Sequence, residues 1–452
     1  MFRRKAYDQM MEWKAKYSGS YACLLEGARR VGKTTIAENF ARNEYKSFIK
    51  VDFANATDEL MDVFRDIAKP DLFFLRLQAE TEVTLYEHES VILFDEIQLY
   101  PKARQAIKYL VADGRYDYIE TGSLISIKKN VRDIVIPSEE HRISVYPMDY
   151  EEFLWATGGN PEILRKLAEL RTPVGNSTNR TLMRNFRTYL AVGGMPQAVE
   201  AYIEFNNMEE VDRVKREIVN LYYDDFKKVD ASGRLSDIYR SVPSQLALKK
   251  KRFVISSATG KRKTQKDEER LFDLIDSKTV LPCYDVAQPE TALEQTRIPD
   301  KYKLYLSDVG LFTSIIFNSS EEGHQDIYRR LLSDKQDSDL GYLYENAAAQ
   351  MLTALGYRLY YYTWRNGGTH SHEIDFLVVR NGKVIPIEIK SSQIRNHKSI
   401  DEFSMTYSKH IGGPYIFSKK DFSKDGVLQY VPIYLMPFTM ECVTGNDREV
   451  MI

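Results

Sequence analysis

The sequence predicts an α/β protein whose first part is a parallel sheet organised around a phosphate-binding loop. Three observations lead there. Residues Gly27 to Thr34 spell Gly-x-x-x-x-Gly-Lys-Thr, with an apolar run at 21–25 before them and a helical pattern at 35–42 behind them. Val91-Ile92-Leu93-Phe94 runs straight into Asp95-Glu96, the pattern of a buried strand that delivers acids to its C-terminal edge. Near the C-terminus, two strand-like stretches carry Asp375 and then Glu388-Ile389-Lys390.

The loop's residue types follow from its chemistry. Gly27 and Gly32 let the backbone curl so that its N–H groups point at phosphate oxygens. The intervening Ala28, Arg29, Arg30 and Val31 supply those N–H groups, and Thr35 continues the cradle into a helix whose positive end favours an anion. Lys33 reaches the β- and γ-phosphates, and the Thr34 hydroxyl is placed to ligate Mg²⁺. Asp95 is expected to hold Mg²⁺ through a water, and Glu96 to polarise the attacking water.

Composition sets the outer bounds. A chain of 452 residues suggests about two to four domains, and 43% hydrophobic residues are enough for packed cores. No apolar run approaches a membrane span, and Met1-Phe2-Arg3-Arg4-Lys5 has no apolar region directly behind it, so neither a membrane segment nor a signal peptide is expected. Cys23, Cys283 and Cys442 are far apart without metal-like spacing, which reads as reduced thiols in the cytoplasm. The net charge of −2 gives no global basic field for nucleic acid and leaves room only for a local one.

The first 155 residues otherwise read in α/β order. Residues 1–20 form an amphipathic helix with Tyr7, Met10, Met11, Trp13 and Tyr17 on one stripe. Strands are expected at 47–53, 90–95, 116–123 and 141–146, and helices at 57–68, capped by Thr57 or Asp58, and at 101–113. Thr121, with Ser123 as second choice, is the candidate to sense the γ-phosphate; the alternative is that Thr121-Gly122-Ser123 is a plain turn.

The series of phosphate loop, Phe94-Asp95-Glu96-Ile97-Gln98, Thr121-Gly122-Ser123 and Tyr146-Pro147-Met148-Asp149-Tyr150-Glu151-Glu152-Phe153 resembles the prokaryotic AAA+ ATPases that carry an uncharacterised C-terminal domain. Gly193-Gly194-Met195-Pro196 matches the helical segment of the same family. The resemblance implies ATP and Mg²⁺ as cofactors, a five-stranded parallel sheet between helices, a helical lid, and an arginine on the lid or on a neighbouring copy. Arg142, Arg184 and Arg187 are available, but no local motif selects one of them.

From Pro161 to about Lys228 the pattern is helical, with a polar turn at 176–179 and a break at Gly193-Gly194. The acid pair Asp224-Asp225 reads as solvated charge. Helices at 236–248, broken or kinked at Pro243, and at 267–277 flank a basic loop with Lys249-Lys250-Lys251-Arg252 and Lys261-Arg262-Lys263; strands at 280–286 and 303–308 follow. That order is the order of a winged helix, used either for DNA or as a spacer.

After a polar linker at 335–339, a helix at 341–355 carries Glu345, and strands carry Asp375 and, beyond a turn at Asn381-Gly382, Glu388 and Lys390. Alternation puts Glu388 and Lys390 on one side of their strand and turns Asp375 away from the core. Two carboxylates and a lysine on one sheet face suit metal-assisted phosphodiester cleavage, with Glu345 completing the metal shell. The arrangement resembles the restriction-endonuclease-like, Asp…Glu-x-Lys superfamily. The spacing of His370, His372 and His397 is not that of a zinc site.

The reading is therefore an AAA+ ATPase core at 1–155, a helical lid at 156–234, a winged-helix-like module at 235–334 and a nuclease-like domain at 335–452. The expected partners are DNA and further copies of the chain, with no membrane. The competing reading is a nucleotide-controlled switch or scaffold whose C-terminal domain binds a partner and cleaves nothing.

Overall fold

The computed structural model describes residues 1–123, 137–290, 292–317, 328–329, 331–333, 340–365, 371–391 and 397–441. The expected linker at 335–339, His370 and Cys442 lie outside the described residues. The chain divides into two compact units, residues 1–146 with 276–278, and residues 147–275 with 279–452.

The first unit holds five parallel strands: β1 (Ala22–Gly27), β2 (Ser47–Asp52), β3 (Ser90–Asp95), β4 (Asp117–Ser123) and β5 (Glu140–Ser144), in the order β2-β3-β4-β1-β5. Every residue of β3 is buried, as a strand flanked on both edges and covered on both faces requires. The phosphate loop follows β1 and leads into the helix Lys33–Glu44. Thr57 caps the helix Asp58–Val63 by accepting the Leu60 N–H at 3.2 Å. The helix at 101–113 forms with Pro101 in its first turn.

Two expectations change here. The N-terminal helix, Lys5–Tyr17, buries Ala6, Met10 and Trp13, whereas Met11 and Tyr17 are exposed, so its apolar stripe is narrower than expected. A further helix, Pro70–Thr81, buries Phe73, Phe74 and Leu77 in the core on one side of the sheet. Its consecutive Leu72-Phe73-Phe74-Leu75 blurs the helical period that would have announced it.

The second unit begins with helices. Asp149 and Glu152 form a reciprocal capping box at the start of Tyr150–Ala156. Pro161–Leu170, Asn176–Val192, Pro196–Phe205 and Met208–Val229 follow. The polar stretch at 176–179 is the first turn of its helix and not a loop before it. The Gly193-Gly194 break is held by two bonds: Met148 N–H to Gly194 O at 2.7 Å and Gly194 N–H to Asp308 Oδ2 at 2.6 Å. The helix Arg234–Ala247 runs through Pro243 without interruption.

Eight strands form one mixed sheet in this unit. They are β6 (Val280–Val286), β7 (Arg297–Leu306), β8 (Leu359–Arg365), β9 (Ser371–Arg380), β10 (Lys383–Lys390), β11 (Tyr415–Ser418), β12 (Ser423–Asp425) and β13 (Leu428–Pro432), in the order β12-β13-β11-β10-β9-β8-β6-β7. The expected boundary at 334/335 therefore falls inside a single sheet. The β6–β7 hairpin, read as the wing of a separate module, joins the C-terminal strands through a parallel β6–β8 pairing. The β9–β10 turn at Asn381-Gly382 has φ of 51° and 69°, the paired positive values of a tight hairpin turn.

Candidate functional sites

In the first unit the loop is shaped by its neighbours. A Cβ on Gly27 would lie 2.1 Å from Val145 O, so only glycine fits beneath β5's exit. Gly32 caps the following helix at φ 96°, which a side chain would resist. Arg4 donates to Val31 O at 2.8 Å and to Tyr146 O at 2.7 Å, pinning the loop from the N-terminal segment.

Lys33 is buried, and its ammonium donates to Gly27 O at 3.1 Å and Ala28 O at 2.8 Å. Burial lowers its pKa to about 8, against the pull of Glu96 and Asp95. Carbonyl dipoles stabilise an ammonium far less than phosphate charges do, so the group is poised for an anion. The Thr34 hydroxyl donates to Asp95 Oδ1 at 2.7 Å, and Thr121 donates to the same oxygen. Lys50 holds Asp95 Oδ2 at 3.2 Å and Glu38 at 2.6 Å. Glu96 sits at φ 53°, uncommon for a side-chain-bearing residue, and its carboxylate accepts from Gln98.

The structure thus brings Thr34, Asp95 and Thr121 together at the strand edge and sets Lys33 within the loop. Thr121 bonds Asp95, and its hydroxyl also accepts the Glu96 N–H at 3.4 Å; Ser123 is in register with Gly27. Sequence reasoning missed Lys50 and Arg4. A lysine inside the otherwise buried Ile49-Lys50-Val51 strand was the available signal for the first.

The second site lies on the eight-stranded sheet. Lys303, on β7 and 5% exposed, donates to Glu345 Oε1 at 3.1 Å and to Glu373 Oε1 at 2.6 Å. The Tyr305 hydroxyl also donates to Glu345. Burial alone would lower the Lys303 pKa, but Glu345, Glu373 and Asp375 hold it well above the ordinary lysine value. Asp375 accepts the Ile389 N–H at 2.8 Å. Burial pushes Asp375 up to about 8, with Glu345 and Glu388 adding to the rise and Lys303 and Lys390 opposing it. Lys390 pairs with Glu388 at 2.8 Å.

Strict alternation does not hold on β9. Leu377 faces Tyr360 and Ile374 faces Tyr362, so β9 spends three residues where β8 spends two. Asp375 sits in this bulge, and the bulge, not simple alternation, sets its direction. Glu388 is in register with Ile416, a member of the cluster packed by Ile400 and Phe403, and it also feels Asp401 and His397. Glu345 and Glu373 bond Lys303 and Glu388 pairs with Lys390, while Asp375 feels both lysines and the carboxylates of Glu345 and Glu388. Among the described residues, no group of three or more His, Cys, Asp or Glu side chains is arranged to hold a metal ion. Lys303 and Tyr305 escaped the sequence reading because β7 was assigned to another module, and Glu373, two residues before Asp375 on β9, was given no role.

The remaining expectations are placed as follows. His372 stacks on Trp364 at 5.2 Å, and His397 pairs with Asp401 at 2.6 Å. Asp224 and Asp225 pair with Lys227 and Lys228 on the helix surface. Arg142 pairs with Glu140 at 3.3 Å, Arg184 is exposed, and Arg187 is buried. Among the described residues, no helix is long and apolar enough to cross a membrane.

Residues 19–154 match the family model described as an AAA domain. The first unit has the fold of a P-loop AAA+ domain. Residues 183–322 and 340–436 match two families described as domains of unknown function, DUF8612 and DUF4143. No curated protein matches the chain. Solved structures that resemble it include the replication initiator DnaA bound to AMPPCP and single-stranded DNA, at 14% identity and TM-score 0.27, covering 61% of this chain and 89% of that one. AMPPCP-bound DnaA from Aquifex aeolicus matches at 15% identity and TM-score 0.27, covering 61% and 88%. Domain III of the Thermotoga maritima replication initiation protein DnaA matches at 14% identity and TM-score 0.26, covering 47% and 91%. Scores this low carry no inference about what the chain binds.

Proposed function

We propose that the protein binds and hydrolyses ATP at its phosphate loop and acts on nucleic acid through its second unit. The observation that carries the first half is the pairing of a buried Lys33 on loop carbonyls with Thr34 bonded to Asp95. The oxygen donors Thr34 and Asp95 suit Mg²⁺, which when bound neutralises phosphate charge. In this reading Lys33 holds the β- and γ-phosphates, Thr34 and Asp95 hold the ion, Thr121 positions Asp95, and Glu96 takes a proton from the attacking water. Copies of the chain are proposed to associate in the presence of ATP, because none of Arg142, Arg184 and Arg187 belongs to a motif of the loop's own unit. Sedimentation of a fully active monomer with and without nucleotide would remove that part.

Support for nucleic acid comes from the basic loop. Lys249, Lys251 and Arg252 are exposed, and Lys251 donates to Ser371 O at 2.9 Å, at the start of the strand that carries Glu373 and Asp375. Phosphate contacts thus have a basic surface beside the charged face. The test is DNA binding by the full chain across a salt series, with and without ATP. Binding that weakens with salt and with Lys249→Glu/Arg252→Glu supports the reading; no binding at low salt under either condition sinks it.

A second reading has its own observation. Lys303 already bridges Glu345 and Glu373, so the face is neutralised in part by the chain itself. In that reading the second unit binds a partner under nucleotide control and cleaves nothing. Failure to cut DNA or RNA in Mg²⁺ or Mn²⁺, with binding retained, favours it.

A further inference from the structure

A cavity of about 510 Å³ opens in the second unit between the helix Asn176–Val192 and the turn that follows β11. Asn179, Arg180 and Arg187 face it from the helix, spaced so that they share one side. Lys419, Lys420 and Asp421 form the opposite wall. None of these residues belongs to the phosphate loop or to the Lys303 face.

Charge and rigidity both point to an anion. Four of the lining side chains are cations, and Arg187 is only 5% exposed. Among the described residues, the one lining carboxylate, Asp421, accepts N–H bonds from Val174 at 3.1 Å, Gly175 at 2.8 Å and Phe422 at 2.8 Å, so its charge is spread over backbone donors. The walls are fixed to each other: Asn179 donates to Lys419 O at 3.0 Å and accepts the Tyr434 hydroxyl at 2.9 Å. A cavity whose shape is set before binding loses less on binding.

We propose that this cavity binds a phosphate-bearing ligand through Arg180, Arg187, Lys419 and Lys420. Guanidinium forks match phosphate oxygens in pairs, and lysines add point charge. The volume lies within the roughly 300–1,000 Å³ of small-molecule pockets, enough for a phosphate with a nucleoside attached. Two sources share that chemistry, a free nucleotide and the backbone of a nucleic-acid strand. For the second, Ser418 is in register with Lys390, so Lys419 and Lys420 leave the sheet one strand from Glu388 and Lys390; that source rests on the nucleic-acid reading above, and the first does not.

The experiment uses the full chain carrying Lys33→Ala, so that nucleotide binding at the phosphate loop is weakened and any remaining loss on substitution is read at the cavity. AMP is titrated by calorimetry and a single-stranded oligothymidine by fluorescence anisotropy across a salt series. A companion protein adds Arg180→Ala and Lys420→Ala, both at exposed or half-buried positions, and a third adds Arg187→Lys, with thermal melts confirming the fold. The expected result is binding of at least one probe that weakens tenfold or more in the double substitution. For the oligonucleotide, the dependence on salt should become shallower by about 0.7 for each phosphate that no longer meets a cation. AMP binding alone assigns the nucleotide source, and oligonucleotide binding alone assigns the strand. If neither probe binds, or if affinity and salt dependence are unchanged by the substitutions, the proposal is overturned. Because Lys33 is already removed, that outcome is independent of whether the loop hydrolyses ATP.

Discussion

Lys33 in the first unit and Lys303 in the second are both buried, and they are treated in opposite ways. Lys33 rests on two backbone carbonyls, and its pKa falls to about 8. Lys303 rests on two carboxylates, and its pKa rises. Burial opposes the charge in both cases, so the difference lies in what each ammonium touches. Lys33 lacks a full negative charge on its bonded atoms and gains one when phosphates arrive. Lys303 has its countercharge built in, and a cation entering that face must compete with it. The first arrangement suits a ligand site, and the second suits a structural clamp until something displaces it.

The largest effect expected on the first side of this contrast comes from Glu96→Gln. The carboxamide keeps shape but cannot take a proton, so turnover should fall by about 10²–10⁴-fold while ATP stays bound. Single-turnover kinetics with retained nucleotide measures it; a wild-type rate would remove Glu96 from the role.

On the second side, Lys303→Met should cost about 3–5 kcal/mol of stability, because it leaves Glu345 and Glu373 facing each other without their buried cation. Denaturant titration reads this directly. If the clamp is what keeps metal away, Mn²⁺ should restore part of the lost stability by binding the folded state. A variant as stable as the wild type would show that Lys303 is not the clamp described here.

A smaller effect sharpens the account of Lys33. Its pKa is about 8 in the structure and should rise when phosphates bind. A group whose pKa rises on binding takes up a proton, so ATP affinity should fall as pH increases above about 8, by up to about tenfold per pH unit. Calorimetry in buffers of different ionisation enthalpy should show this uptake. Affinity independent of pH between about 7 and 10 would contradict it.

The contrast was half legible in the sequence. Gly27 to Thr34 and the Val91–Glu96 run announce their site because every residue involved lies next to its strand end, and local order fixes parallel β–loop–helix units. The Thr57 cap and the Asn381-Gly382 turn were legible for the same reason. The Lys303 face was not. Its residues come from β7, β9 and β10 and from the helix Gly341–Ala354, and the strands meet only through a β6–β8 pairing across more than one intervening helix. Sequence order placed β7 in a winged helix because helix, helix and hairpin are adjacent along the chain, whereas the sheet that recruits the hairpin is nonlocal. The bulge at Asp375 is likewise invisible to a strict period of two.

The central claim is that the Gly27–Thr34 loop is a working ATP site whose lysine waits for phosphate. The most direct test is equilibrium binding of ATP with Mg²⁺ to the full chain and to Lys33→Ala, alongside ATP turnover by both. The account predicts saturable binding and turnover in the wild type, with affinity at least about 30-fold weaker in the variant, the equivalent of losing about 2 kcal/mol from a buried charge pair. Equal affinity in the two proteins, or no ATP binding by the wild type, would contradict it.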